Sequence, residues 1–492
     1  MSRQLLWVWV AGSLFVTNSA HADGFENVPT GSRTAAMGGA GHARGADSAA
    51  PTLNPAGLAL IPGSIASLSA SLYQITAVQI PSFISDGTTV ASRFGPLETS
   101  DPSASSAEFS AFPSGVAYFL HLDTGAAPLI LAASLSVPRS SSKRFVESTE
   151  YKTEAVSIQE SLTTLQEDQT YVTAVSGAMG FGDLRLGISV LGAYTQGLRS
   201  TERSSLEVQG TSGFVRDQVT EIDRYTSIDL GGLIGAQLDL NDSFSIGLSV
   251  RSPSLHLGGS YEGAVDFTNL GSEVDAVVSK MRSRGEAYRG MPLRVGLGAE
   301  ARGDGWAAAL DGLLFLPFGD LYRFEAEQFV SEVGGQNSTA PDQERNLRVV
   351  IPTRPVINLA LGVELEVTET NWLRVGAFTD FSALEPAAEQ AARFANARVF
   401  PLFDLPIGRI GGSVGWGTRL GVVDTTIGVR VAYGRGETLR IDPDLRFDYQ
   451  ANNRADVTDA TVFDGIAFLS AALDVSESVR SLGKHAQKGM EP

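Results

Sequence analysis

The sequence predicts an all-β fold, a transmembrane antiparallel β-barrel of about 14 strands with an N-terminal plug in its lumen, and three observations carry that expectation. Long stretches alternate apolar with small or polar residues at a period of two. The connections between those stretches alternate short and long. The chain of 492 residues contains 53 glycines and 8% aromatic residues at a mean hydropathy near zero, a composition that suits strands apolar on one face only.

At the start, Arg3, the apolar run Leu5 to Val16 and Ala20-His21-Ala22 have the form of a secretory signal, so residues 1–22 are expected to be removed and the mature chain to begin at Asp23. The run is well short of the roughly 18 to 20 residues that a spanning helix needs. Every later apolar run is broken within a few residues by Gly, Ser or a charge, so a membrane location requires a closed barrel. The absence of cysteine fits an exported protein without requiring one. A formal charge of -18 leaves nothing to neutralise phosphates and excludes nucleic acid as a partner.

The alternation is clearest from Asp183 to Leu198. Leu184, Leu186, Ile188, Val190, Tyr194 and Leu198 fall on one face, and Arg185, Gly187, Ser189, Ala193, Thr195 and Gly197 on the other. Ser227 to Leu240 and Pro355 to Val367 repeat the pattern. These runs are about twice the usual 5 or 6 residues of a sandwich strand and near the length of a tilted membrane strand. Tight turns are read at Gly182-Asp183, Asn241-Asp242, Gly303-Asp304-Gly305, Thr368 to Asn371 and Leu420-Gly421, with a slightly longer link at Asp123 to Ala127. Long polar segments are read near residues 79–112, 138–168, 200–224, 259–290, 317–352, 385–406 and 437–463. Strand centres then fall near residues 71, 117, 133, 175, 190, 233, 249, 297, 310, 360, 376, 413, 429 and 469. The even count puts both barrel ends on the short-turn, periplasmic side. The expected division is plug 23–63, barrel 64–475 and a polar periplasmic tail 476–492. A barrel this wide is not filled by its own side chains, so a plug or water must occupy it.

The run Gly31-Ser32-Arg33-Thr34-Ala35-Ala36-Met37-Gly38-Gly39-Ala40-Gly41-His42-Ala43, then Asp47 and Asn54-Pro55-Ala56-Gly57-Leu58-Ala59, resembles the hatch of the FadL/TodX outer-membrane transporters. The resemblance implies a 14-stranded barrel in the bacterial outer membrane, a hatch motif at Asn54, Pro55, Ala56 and Gly57, and passive uptake of hydrophobic compounds, most often long-chain fatty acids. It also implies sideways release near a kinked third strand, which Pro128 and Pro138 bracket. The match covers about 30 residues, and related barrels serve secretion and surface assembly, so the motif speaks to fold more firmly than to cargo. The chain departs from such barrels in ending on a polar tail after its last strand, near Gly465 to Val475, instead of on a terminal aromatic residue. That bears on how the barrel assembly machinery, an expected partner with outer-membrane lipid, reads the C-terminus.

Residue by residue, Pro55 fixes φ and keeps Asn54 out of the helical region, while the Asn54 side chain bonds nearby backbone and holds a turn. Anchoring and gating both fit that motif. Gly411-Gly412-Ser413-Val414-Gly415 has the spacing of a nucleophile elbow but lies inside a strand, so Ser413 reads as a small lumen residue and no enzyme is expected. The histidines show no ligand spacing, and neither a metal nor a cofactor is expected. The lumen face carries Arg185, Arg251, Arg294, Arg374, Arg409, Arg419 and Arg430 with Asp229, Asp239, Glu300, Asp311, Glu364, Glu366, Asp380 and Asp424. Most are expected to pair, and one or two arginines to face a carboxylate headgroup. Apolar residues in the long segments, Ile80, Phe267, Val274, Val277, Met281, Leu316, Phe318, Tyr322, Phe324, Phe400 and Phe403 among them, fit a greasy capture groove for an apolar solute. Gly271 to Arg284 and Glu385 to Ala397 fit short amphipathic helices over the mouth. The alternative function is a structural or assembly barrel that binds a protein partner and transports nothing.

Overall fold

The computed structural model describes residues 30–81, 98–99, 103–124, 127–152, 156–209, 213–271, 277–318, 320–333, 343–352, 354–394, 405–440 and 456–476. The signal, the tail beyond residue 476, Val274, Phe400 and Phe403 lie outside them. The strands form one closed antiparallel barrel of 14. The first six are β1 (Ile65–Pro81), β2 (Ser103–Leu122), β3 (Leu129–Lys152), β4 (Val156–Phe181), β5 (Leu184–Gln209) and β6 (Gly213–Asn241). Four follow in two pieces each: β7 (Phe244–Arg251, Leu255–Gly271), β8 (Val277–Arg289, Leu293–Gly303), β9 (Trp306–Leu316, Asp320–Val333) and β10 (Gln343–Pro352, Val356–Thr368). The rest are β11 (Asn371–Asp380), β12 (Arg409–Leu420), β13 (Val423–Arg440) and β14 (Asp456–Asp474), and β14 pairs with β1 to close the wall. A two-residue piece, Glu98–Thr99, pairs with the end of β3. Each of the strand centres read from the sequence falls in its own strand.

Period-two alternation puts lipid outside and the lumen inside. Ile188 and Val190 are 58% and 53% exposed, while Ser189 between them is 1% exposed. Exposed Phe181, Phe244 and Trp306 mark the short-turn rim of this apolar band, and Tyr194 and Tyr433 its opposite rim. About 10 residues separate the rims, the length of one tilted crossing. Gly182, Gly305 and Gly421 take φ of +64°, +73° and +63° in three of the short turns, a conformation that strains a side chain.

Above the band the sequence reading needs correction. β4, β5 and β6 run for 26, 26 and 29 residues, more than twice a crossing, so 139–152, 156–168, 200–209 and 213–224 are strand extensions and not loops. Val277–Arg289 is likewise strand, paired with β7, where a helix over Gly271 to Arg284 was expected. Cross-strand pairing from Val277↔Asn269 to Gly285↔Tyr261 satisfies backbone groups there and overrides the local helical spacing. The second expected helix is present as α1 of the mouth, Ala387–Phe394. The extended wall encloses apolar clusters of its own. One gathers Tyr225, Tyr261, Tyr322, Phe324 and Leu384; another gathers Ile80, Phe145, Leu162, Leu405 and Ile407. Leu384, Leu405 and Ile407 belong to the described ends of the connection between β11 and β12, and these ends fold inward at the mouth.

Candidate functional site

The segment from Thr30 to Gly63 lies within the barrel at its short-turn end. It holds two short helices, Arg33–Ala36 and Ala50–Leu53, and a 3-10 helix, Pro55–Leu60. Small residues on the inner wall make the fit. A Cβ on Gly187 would stand 2.4 Å from the Pro55 carbonyl carbon, and one on Gly376 would stand 2.2 Å from the Gly38 nitrogen. Backbone of the plug thus meets backbone of the wall, an approach open only to glycine.

Polar contacts fasten the plug around its circumference. Arg33 pairs with Glu300 and Glu364, each at 3.1 Å, and Arg44 with Asp239 at 3.1 Å. Asp311 accepts from the Gly41 and His42 amides at 2.7 and 2.9 Å and meets the His42 ring at 2.8 Å. Arg294 donates to the Thr52 carbonyl at 2.6 Å, Ser189 to that of Pro51 at 2.7 Å, and Ser413 to that of Ala36 at 2.8 Å. Asn54 joins three parts: its amide donates to the His42 carbonyl at 2.7 Å and the wall carbonyl of Ala236 at 3.2 Å, and its oxygen accepts from Ala56 N at 3.2 Å. The turn read from the motif is present, and the reach to β6 is additional. Pro55, Ala56 and Gly57 are buried behind it.

Above the plug lies a cavity of about 130 Å³. Its floor is plug, with Thr34, Gly38, Gly39 and Leu53; its walls are mainly apolar, with Val172, Leu191, Met291, Leu313, Phe315, Leu359 and Phe378. Arg251, Arg289, Arg430 and the carboxylate of Asp380 also border it. Arg430 stacks on Phe378 with its guanidinium carbon 3.7 Å from the ring centroid, and Arg289 donates to the Tyr322 hydroxyl at 2.8 Å.

The seven lumen arginines read from the sequence separate by their partners, and Arg409 pairs with Asp380 at 3.1 Å and with Asp464. Arg185 pairs with Asp239, Arg294 holds plug carbonyls, and Arg374 pairs with Glu364 at 2.6 Å and donates to Thr426 at 2.9 Å. Arg251 and Arg430 border the cavity. Arg419 and Asp424 pair with each other in the exposed turn region and leave the lumen set. Arg289 was missed because its stretch of β8 was read as loop.

The expected capture groove is not assembled as read. Tyr322 and Phe324 are buried inside the extended wall, Phe267 and Met281 share the inner face of the β7–β8 hairpin by register, and Val277 takes the same register face. Phe318 instead stands 56% exposed at the break in β9. Ser413 spends its hydroxyl on the Ala36 carbonyl, and among the described residues no histidine is bonded to it.

The wall itself is interrupted beside the cavity. β2 and β3 pair from Leu122↔Leu129 to Gly115↔Ser136 and again at Ser105↔Val146, with no ladder pair between among the described residues. Pro138 lies inside β3, at a bulge between Ser136 and Arg139, and borders the cavity; the sequence reading had put it at the strand's end. Pro138 has no N–H to give, so the ladder fails there.

No family model and no curated protein matches the chain by sequence. By structure it is similar to a Pseudomonas aeruginosa FadL homologue, at 15% identity and a TM-score of 0.59, over 92% of this chain and 100% of that one. It is also similar to the Pseudomonas putida toluene transporter TodX, at 14% identity and a TM-score of 0.52, over 92% and 100% of the two chains. The chain has the fold of the FadL/TodX-type outer-membrane barrels, closed around an N-terminal plug.

Proposed function

We propose that this barrel passively takes up hydrophobic small molecules across the outer membrane, with a long-chain fatty acid as the cargo, and that it is not an enzyme. The observation that carries the reading is the cavity on top of the plug, walled by Phe315, Leu359 and Phe378 and bordered by Arg251, Arg289 and Arg430. An apolar wall with a few convergent cations suits a molecule with a tail and one carboxylate. At 130 Å³ the cavity compares with the roughly 150 Å³ void that accepts benzene, so it takes a ring or part of an acyl chain. The remaining tail must pass between strands, and the interruption at Pro138 is the opening beside it. The solved neighbours include a toluene transporter, which favours hydrophobic cargo generally over fatty acid in particular.

Binding to the purified barrel tests the choice of cargo. Labelled long-chain fatty acid should bind, and Arg430→Leu should weaken it about tenfold, the loss of one charge-assisted contact, while leaving the methyl ester unaffected. Tight binding of toluene with no binding of the acid would redirect the reading to aromatic hydrocarbons. Absence of both would favour the assembly barrel.

A further inference from the structure

The wall is interrupted at a second place that borders the same cavity. β7 and β8 pair down to Tyr261↔Gly285 and resume at Arg251↔Arg294, leaving residues 252–260 and 286–293 without ladder pairs to one another, while residues 255–260 stay paired with β6 and 286–289 with β9. Pro253 and Pro292 stand in the two breaks and supply no N–H. The stretch is held instead by Ser254, whose N donates to the Met291 carbonyl at 3.0 Å and whose Oγ accepts from Met291 N at 2.9 Å.

The two interruptions share one construction. At the first, Gln74 of β1 reaches past β2 to the Ser140 carbonyl of β3 at 3.4 Å. At the second, Arg289 N of β8 reaches past β7 to Ser227 Oγ of β6 at 3.1 Å, and a Cβ on Gly259 of β7 would stand 2.1 Å from the Ala287 carbonyl oxygen. In each case the middle strand keeps its ladder with one flanking strand, β2 with β1 and β7 with β6, and loses it with the other. On the lumen side Arg289 and Met291 border the cavity; on the outside Leu255 and Leu257 are 64% and 60% exposed, continuing the apolar band. Between them the His256 ring meets the Tyr288 ring edge-on, centroids 5.0 Å apart, with His256 Nδ1 3.2 Å from Asp229.

We propose that this stretch is a second side portal, through which an apolar chain passes between the cavity and the outer leaflet when the His256 and Tyr288 rings part. It rests on the reading of the cavity as a hydrophobic site. Opening here costs the two Ser254–Met291 hydrogen bonds, the hydrogen bond between Tyr288 and Ser254 and a ring contact, with no β7–β8 ladder to unzip.

The test uses the full chain in lipid nanodiscs whose bilayer carries a diazirine-bearing fatty alcohol. Adducts are mapped by mass spectrometry after illumination. The portal requires adducts on Leu255, Leu257 and Met291, and His256→Ala/Tyr288→Ala should raise labelling of the cavity residue Leu313 about tenfold. The chain has no cysteine of its own, so His256→Cys/Tyr288→Cys joined by a short reversible thiol tether should abolish the Met291 adduct until reductant is added. Unchanged Met291 and Leu313 labelling in folded, heat-modifiable protein across these variants would overturn the portal. If the same probe supplied from water still labels Leu313, the cavity reading stands and only the portal falls; absence of cavity adducts from either side overturns both.

Discussion

Beneath the cavity, the plug is fastened to β5, β6, β8, β9, β10 and β12 by ion pairs and hydrogen bonds from Arg33, Arg44, His42, Asn54 and their wall partners. At the sides of the cavity, the wall loses its ladder at Pro138 and again between β7 and β8. The difference ranks the routes by energy. Each buried polar contact is worth about 1 kcal/mol net and more where charge is left behind, so expelling the plug costs on the order of 10 kcal/mol. A solute bound with micromolar affinity supplies only about 8 kcal/mol in total. Displacing the few contacts at an interruption costs a small part of that. The floor is therefore the costly part of the cavity to move, and the interruptions in the wall are the cheap part.

The largest effect should come from the floor. Arg33→Ala removes the cation that Glu300 shares with Glu364, while Glu364 keeps Arg374, so the cost falls at the lower end for breaking a buried pair, about 3 kcal/mol. Hydrogen exchange should show amides of residues 33–54 losing protection while β4 to β6 keep theirs. Equal loss in the strands would mean that plug and wall are one cooperative unit and would break the comparison.

Asn54→Ala should act next in size, by about 1 to 3 kcal/mol, since the His42 and Ala236 carbonyls and Ala56 N each lose a partner. The barrel should remain folded and heat-modifiable, with altered solute uptake. Loss of the folded barrel with no separable uptake defect would make the motif purely structural.

How far the sequence reached follows the same division. The band was legible because lipid outside and small residues inside impose a strict period of two, as at Ile188, Ser189 and Val190. The plug was legible because backbone-to-backbone docking demands runs of Gly and Ala around Asn54-Pro55. Above the band the outer side of a strand meets water and the inner side mixes polar residues with the apolar clusters of the mouth, so the period fades and the upper parts of β3 to β10 read as loops. Arg289 and the inner face of Phe267 and Met281 were lost with them. The breaks in β7 to β10 did leave a signal, Pro253, Pro292, Pro317 and Pro355, one per strand. That signal was open to reading once the strands were known to continue past the prolines.

A smaller effect sharpens the contrast within the extended wall, outside the membrane band. Glu221 meets Arg199, yet burial and the neighbouring Asp223 push its carboxyl up to about 7 from an ordinary 4.5. The folded state then holds a proton that the unfolded chain releases, so this group's contribution falls as pH rises from about 4.5 to about 7. Thermal unfolding of the extended wall should weaken across that window by on the order of 1 kcal/mol, and Glu221→Gln should flatten the slope. An identical slope in the variant would assign the pH dependence to other groups.

If a hydrophobic solute sits on the plug against the wall, bromine scattering will locate it there. Crystals of the protein with a long-chain fatty acid brominated at mid-chain should show anomalous density in the lumen above Gly38 and Gly39, between Phe315 and Phe378. Bromine found only on the outer surface of the barrel, at a concentration that saturates binding in solution, would contradict the account.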